Sequence, residues 1–195
     1  MQSIEISWRN LENLLQFQRA LRMVGSQFEF SNAARRAVNR TGDMARTQVV
    51  RALARQTGLQ QKIVRKAVKP QRANFDRIAY VMHAQGGDIS LKYFKARETR
   101  KGVSAAPFGK RSVFASSFMR GGRFPNRVVV PRFHGHVFQR DGSKRTPVTK
   151  LKSGVVIPAE MVQGETAKAF ETTVRDVLPR RFAHEINRLT GGAFA

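Results

Sequence analysis

Two internal stretches hold nearly all of the charge on this chain. Residues 31–75 contain eleven Lys or Arg against one acid, and residues 92–152 contain sixteen against two. The flanks are neutral, with three groups of each sign in residues 1–30 and five of each in residues 153–195. The formal net charge is +23. Cations at this density oppose compaction unless an anionic partner or counterions offset them. They do not form a tail hung on a neutral domain; they lie inside the part that has to fold. A merely solvated surface interleaves both signs. The candidate partners are therefore nucleic acid, an acidic protein surface or an anionic membrane.

Enough apolar material remains for a core. The 195 residues are 41% hydrophobic, and fourteen Phe against two Tyr and one Trp imply buried clusters. The absence of Cys excludes a disulfide framework and thiol chemistry. The opening MQSIEISWRN lacks the basic start and apolar run of a signal peptide. No stretch approaches the roughly 18 apolar residues of a membrane span, so no span is expected, and of the three candidate partners the membrane is the one not expected.

The periodicity changes along the chain. Leu11, Leu14, Leu15, Leu21 and Val24 predict an amphipathic helix over 8–24, capped by Ser7 and stopped by Gly25, with a short strand at Ile4 and Ile6 before it. An Ala-rich stripe (Ala34, Ala37, Val38, Ala45, Val49, Ala52, Leu53) predicts a helix over 32–57, capped by Ser31 or Asn32 and ended by Gly58; Gly42 is its weak point. Residues 60–69 predict a third helix stopped by Pro70. This helix–turn–helix outline carries no evident pattern for reading bases. Ile78, Tyr80 and Met82, then Ile89, Leu91 and Tyr93, predict a hairpin turning at Gly86-Gly87-Asp88. Further strands are expected near 112–119 and 127–130, and a second hairpin over 133–149 turning at Asp141-Gly142 with Pro147 limiting one arm. Val155-Val156-Ile157 is expected to be closed by Pro158. Phe170, Val174, Val177, Leu178, Phe182, Ile186 and Leu189 predict a helix over 165–190, kinked or split at Pro179 and ended by Gly191-Gly192. Helices, then strands, then a helix make an α+β chain. It divides as one domain, 1–195, into an N-terminal helix (1–30), basic helices (31–70), a central antiparallel β-rich region (76–158) and a C-terminal helix (165–190).

Within the β-rich region, KARETRKGVSAAPFGKR (95–111) has six Lys or Arg, one acid, and neither helical nor strand periodicity. Gly102, Pro107 and Gly109 fit an extended arm. Its Arg97, Arg100, Lys101, Lys110 and Arg111 are the candidate contacts for carboxylate or phosphate, which the planar guanidinium bonds bidentately. Arg35, Arg36, Arg40, Arg46, Arg51, Arg55, Lys62, Arg65 and Lys66 form a secondary basic surface.

Chemistry is poorly represented. Glu165, Glu171, Asp176 and Glu185 share a predicted helix with Lys168, Arg175, Arg180 and Arg181 and read as a solvated face. Asp88 and Glu98 lack the companion carboxylates a nuclease needs to hold a divalent ion. His134 and His136 lack further ligands for a metal. No phosphate-binding Gly-rich loop is present. No catalytic residues, metal or cofactor are expected. The alternative reading, a sequence-independent nucleic-acid-binding protein, lacks basic residues interleaved with exposed aromatics beyond Phe108, Phe114 and Phe118, which suit a core or interface better.

Arg97-Glu98-Thr99-Arg100-Lys101-Gly102-Val103-Ser104-Ala105 resembles a motif of the minor tail protein Z family of long-tailed bacteriophages. TGLQQKIVRKAVK (57–69) upstream and HVFQRDGSKRTPVTKLKSG (136–154) downstream resemble further family features in the same order. The similarity covers roughly 30–158. The Phe-rich stretch around Ser112–Arg123 departs from the family's pattern, and the first 25 residues carry no matching motif. The resemblance implies a non-enzymatic virion protein, assembled in the host cytoplasm, that completes the tail at its head-proximal end and helps join it to the DNA-filled head. It implies a homo-oligomeric ring, commonly sixfold. The implied partners are a tail terminator, tail tube or head–tail connector, with contact to packaged DNA.

Overall fold

The computed structural model describes residues 2–7 and 26–192. The helix expected over 8–24 lies outside the described residues. The expected leading strand is present as β1 (Gln2–Ser7).

The longest element is α1 (Gln27–Thr57). It starts five residues before the expected point because Ser26, not Ser31 or Asn32, is the cap; its Oγ accepts from the Glu29 amide at 3.4 Å. Gly58 ends it as expected, at φ 78°, and its N–H donates to the Ala54 carbonyl at 3.0 Å. A side chain at Gly58 would also meet the Ala106 carbonyl at 2.7 Å. The end of α1 is thus a seat for the 106–109 turn. Phe30, Ala33, Ala34, Ala37, Val38, Ala45, Val49 and Leu53 are buried along one face, which packs on the C-terminal helix described below.

Gly42 is where α1 meets a sheet. An added Cβ would stand 2.3 Å from the Tyr80 ring. Tyr80 lies on β3 (Ala79–Ala84), the central strand of a three-stranded antiparallel sheet, between β1 and β2 (Val68–Gln71). Ile6 pairs with Tyr80 and Ile4 with Met82 on one side; Val68 pairs with Ala84 on the other. The Tyr80 hydroxyl donates to Asp43 on α1 at 3.1 Å. Burial and the Asp43 carboxylate push this phenol up to about 12.

The helix predicted over 60–69 is shorter: α2 spans Gln61–Ala67, and the chain turns straight into β2. Pro70 does not stop a helix; it lies in an edge strand, where a missing N–H is tolerated. The hairpin predicted from Ile78 to Tyr93 does not form. Both edges of β3 are occupied, so the chain beyond Gly86-Gly87-Asp88 finds another partner. Ile89 donates to the Val155 carbonyl at 3.0 Å and accepts from Ser153 at 2.8 Å. Leu91–Tyr93 is a single 3-10 turn that buries Leu91, with Phe94 buried after it.

Two small antiparallel sheets follow. The first is β4 (Arg97–Thr99), β5 (Gly102–Ala105) and β6 (Ser112–Ala115), in that order. The second is β7 (Ser117–Phe118), β8 (Phe138–Arg140) and β9 (Val148–Lys150). The hairpin expected over 133–149 is β8–β9. Residues 127–130 make no strand; Val128 forms one isolated bridge to Gly121. Pro158 opens rather than closes: it occupies the first turn of α3 (Ile157–Met161), where its missing N–H costs nothing. The last helix, α4 (Gly164–Leu189), contains Pro179 without being split. Leu178 and Phe182, either side of it, are buried against α1, and packing overrides the lost backbone bond. Gln56 of α1 ties the helices together. Its amide N–H groups donate to the Glu160 carbonyl and carboxylate, and its oxygen accepts from the Thr166 amide and hydroxyl.

The Gly42–Tyr80 approach sets a test. Gly42→Ala should destabilise the fold by roughly 1–3 kcal/mol through overpacking, read as a lower urea midpoint at unchanged slope. The cost should shrink in a Tyr80→Ala background, because the two sites share one contact.

Candidate basic interface

The stretch 95–111 is a packed hairpin, not the extended arm expected from Gly102, Pro107 and Gly109. All four residues of β5 are buried, with Val103 and Ala105 in the core. Ser117 Oγ accepts from the Val103 amide at 3.0 Å and donates to the Phe114 carbonyl at 2.6 Å. A strand of only four residues, half of them small and apolar, shows no alternation in a basic sequence, so the hairpin was not evident from periodicity.

The five cations of this hairpin are exposed but fall at two ends of one sheet. Arg100 and Lys101 sit at the β4–β5 turn. Arg97 is paired with Ser104, and Arg111 folds back over the same point, donating to Ser104 Oγ at 3.1 Å and to the Lys95 carbonyl at 3.4 Å. Lys110 adjoins Arg111 after the 107–109 turn. The structure therefore brings Arg97 and Arg111 together and sets Arg100 and Lys101 apart from them.

The secondary surface is divided further. Arg46 is a structural staple: its Nη2 donates to the Arg65 and Val68 carbonyls at the end of α2. Arg35 bonds Asn32 and lies 4.4 Å over the Phe75 ring. Arg36 is 3.6 Å from Glu185 on α4. Arg40 shares a cleft with Arg72, Arg181 and Asp43. Arg51 and Arg65 face one cleft across α1 and α2, and Arg55 borders another with Gln163 and Glu165. Lys62 and Lys66 are exposed on α2. On α4, Lys168 and Arg175 pair with Glu165 and Asp176 as on a solvated helix face, but Glu185 departs from that reading: its side chain is only 19% exposed and lies between Arg36 of α1 and Arg188.

The two acids of the central region are structural pins, which sequence reasoning did not assign. Asp88 Oδ1 accepts from the Ser153 and Gly154 amides at 3.1 and 2.8 Å. Glu98 Oε1 accepts from the Met119 and Arg120 amides at 2.9 and 3.3 Å and from Arg127 Nη1. The Glu98 and Arg127 side chains are only 11% and 19% exposed. The available signal was its isolation: no acid follows Glu98 until Asp141, across nine Lys or Arg.

His136 and Ser90 stand 2.8 Å apart, Nδ1 to Oγ. This is not a nucleophile and its base. Lys150 Nζ lies 3.2 Å from Nε2 and can only donate, so Nε2 accepts and Nδ1 carries the proton toward Ser90. His134 is exposed beyond it. Among the described residues no three His, Cys, Asp or Glu side chains group as metal ligands. Of the singled-out aromatics, Phe108 is exposed, Phe114 is half-buried, and Phe118 packs with Phe133 and Phe138.

A fold whose central carboxylates are spent on its own backbone, and whose cations face outward, defines a basic building unit with surface contacts. The chain belongs to the family described as Prophage minor tail protein Z (GPZ), whose model matches residues 26–190. It is accordingly a bacteriophage minor tail protein, a structural component of the virion. No curated protein and no solved structure matches it.

Breaking the Glu98 pin should cost roughly 3 kcal/mol, because Arg127 is left as a shielded charge without a partner. Glu98→Gln should show this in denaturant unfolding, with faster hydrogen exchange at the Met119 and Arg120 amides.

Burial, then the Lys92, Lys150 and His134 charges, hold His136 below the ordinary value of 6.5. The unfolded chain takes up this proton at higher pH than the fold does. The residue's contribution to stability is therefore complete above about pH 6.5 and declines as pH falls below it. An NMR titration of the His136 ring should give a midpoint under the ordinary value, rising in Lys150→Ala.

Proposed function

We propose that this protein completes the phage tail at its head-proximal end and helps join it to the DNA-filled head, as a ring of identical subunits, six by the family's pattern. The hairpin cations Arg97, Arg100, Lys101, Lys110 and Arg111 meet acidic surfaces of neighbouring tail or neck proteins, or the packaged DNA. One observation carries this reading: residues 99–140 contain nine Lys or Arg and no acid, and Glu98, the acid that contacts this run, is already bound to Arg127. Counter-charges for such a surface come most readily from adjacent molecules, and oriented charge of this kind speeds docking and selects partners. Family membership supplies the setting, a virion tail.

Tails assembled without the protein should look normal in length by negative-stain microscopy yet fail to join heads and to infect. Full joining and infectivity would overturn the assignment. Arg100→Glu with Lys101→Glu, on an exposed turn, should leave the melting temperature unchanged and slow joining by about tenfold, more so at low salt.

A further inference from the structure

Residues 119–129 form an exposed hairpin whose apolar side chains have no part in the proposed function. Its root is fixed. Glu98 accepts from the amides of Met119 and Arg120 on one limb and from the Arg127 guanidinium on the other. Gly121 and Val128 exchange two backbone bonds of 2.9 Å. Beyond that bridge the chain turns through Gly122, Arg123, Phe124, Pro125 and Asn126, all exposed. Val128 and Val129 are 68% and 67% exposed, and Phe124 is 45% exposed. A firmly held hairpin that shows large apolar side chains to water is the pattern of a contact surface.

The flanking charge specifies what it contacts. Arg120, Arg123 and Arg132 surround these apolar residues, all exposed. A second copy of this chain offers this cationic finger few carboxylates, with 13 Asp and Glu against 36 Lys and Arg, so contacts between copies fall to other surfaces. Nucleic acid would use the arginines and the Phe124 ring but leaves the two most exposed apolar side chains unmatched, since Val128 and Val129 offer neither a donor to phosphate nor a ring for a base to stack on. An apolar centre ringed by cations matches an apolar depression rimmed by carboxylates.

We infer that the 119–129 hairpin is a docking finger that inserts Phe124, Val128 and Val129 into an acid-rimmed apolar groove on a different protein of the virion. This rests on the chain's place in a particle, and not on which end of the tail it occupies.

The test uses purified particles carrying the full chain with a photo-crosslinking phenylalanine analogue at Phe124, with cross-linked peptides sequenced. The expected product joins position 124 to another virion protein at a segment rich in Asp or Glu. Val128→Ser with Val129→Ser should cut its yield by about tenfold or more. High salt should weaken the product of the parent chain and of the Val128/Val129 variant by similar factors, because the arginine contribution is separate. Both valines are exposed, so an unchanged melting temperature would exclude misfolding. Cross-links to DNA, to a second copy, or to no molecule would overturn the inference, as would a yield unaffected by the valine changes. A product with a protein from the distal end of the tail would leave the finger standing and remove the head-proximal assignment instead.

Discussion

Close approach of α1 to its neighbours is the condition on which the rest of this structure depends. Four alanines on its buried face (Ala33, Ala34, Ala37, Ala45) let α4 lie against it, and Gly42 lets the Tyr80 ring press directly on its backbone. Larger residues would push α4 and the β1–β3–β2 sheet apart. The bulk comes from the other side of each contact, through Leu178, Phe182, Ile186 and Tyr80. Each fully buried side chain of this size contributes on the order of 2 kcal/mol. That apolar term opposes the self-repulsion of a strongly cationic chain. The Phe30 and Phe182 rings meet edge to face at 5.6 Å across the helix pair.

Polar connections then fix how the peripheral pieces attach. Gln56, Asp88 and Glu98 each satisfy several donors or acceptors from distant segments, and each joins parts of the chain that periodicity alone treats as separate. Arg46 does the same for the end of α2. Acidic groups in the central region are consumed in this way. The surplus of exposed cations follows chiefly from the number of basic residues, 36 against 13 acids, and the internal use of Asp88 and Glu98 adds to it.

The two long helices were readable because their apolar faces repeat over many turns, and their ends carry ordinary stop signals at Gly58 and Gly191-Gly192. The β8–β9 hairpin was readable from Asp141-Gly142 and Pro147. What escaped was short or non-local. The segment after Gly87 alternates like a strand, yet its partner is residues 153–155, more than sixty positions away. The β4–β5 hairpin is too brief to show a period. Pro70, Pro158 and Pro179 each signal a break in sequence, but an edge strand, a first helical turn and a well-packed helix all accommodate proline. At the candidate interface, residue type identified the exposed cations. Sequence did not reveal that Arg46 is turned inward, or that Glu98 holds the base of the 119–129 hairpin.

Pro70 has a further consequence. The outer margin of β2 has no paired strand among the described residues, and it bears Lys69 and Pro70, both exposed. A backbone position without an amide hydrogen, next to an ammonium group, is a poor template for an incoming extended chain. Backbone zippering along this margin, a route that leads to fibre growth, is thereby discouraged.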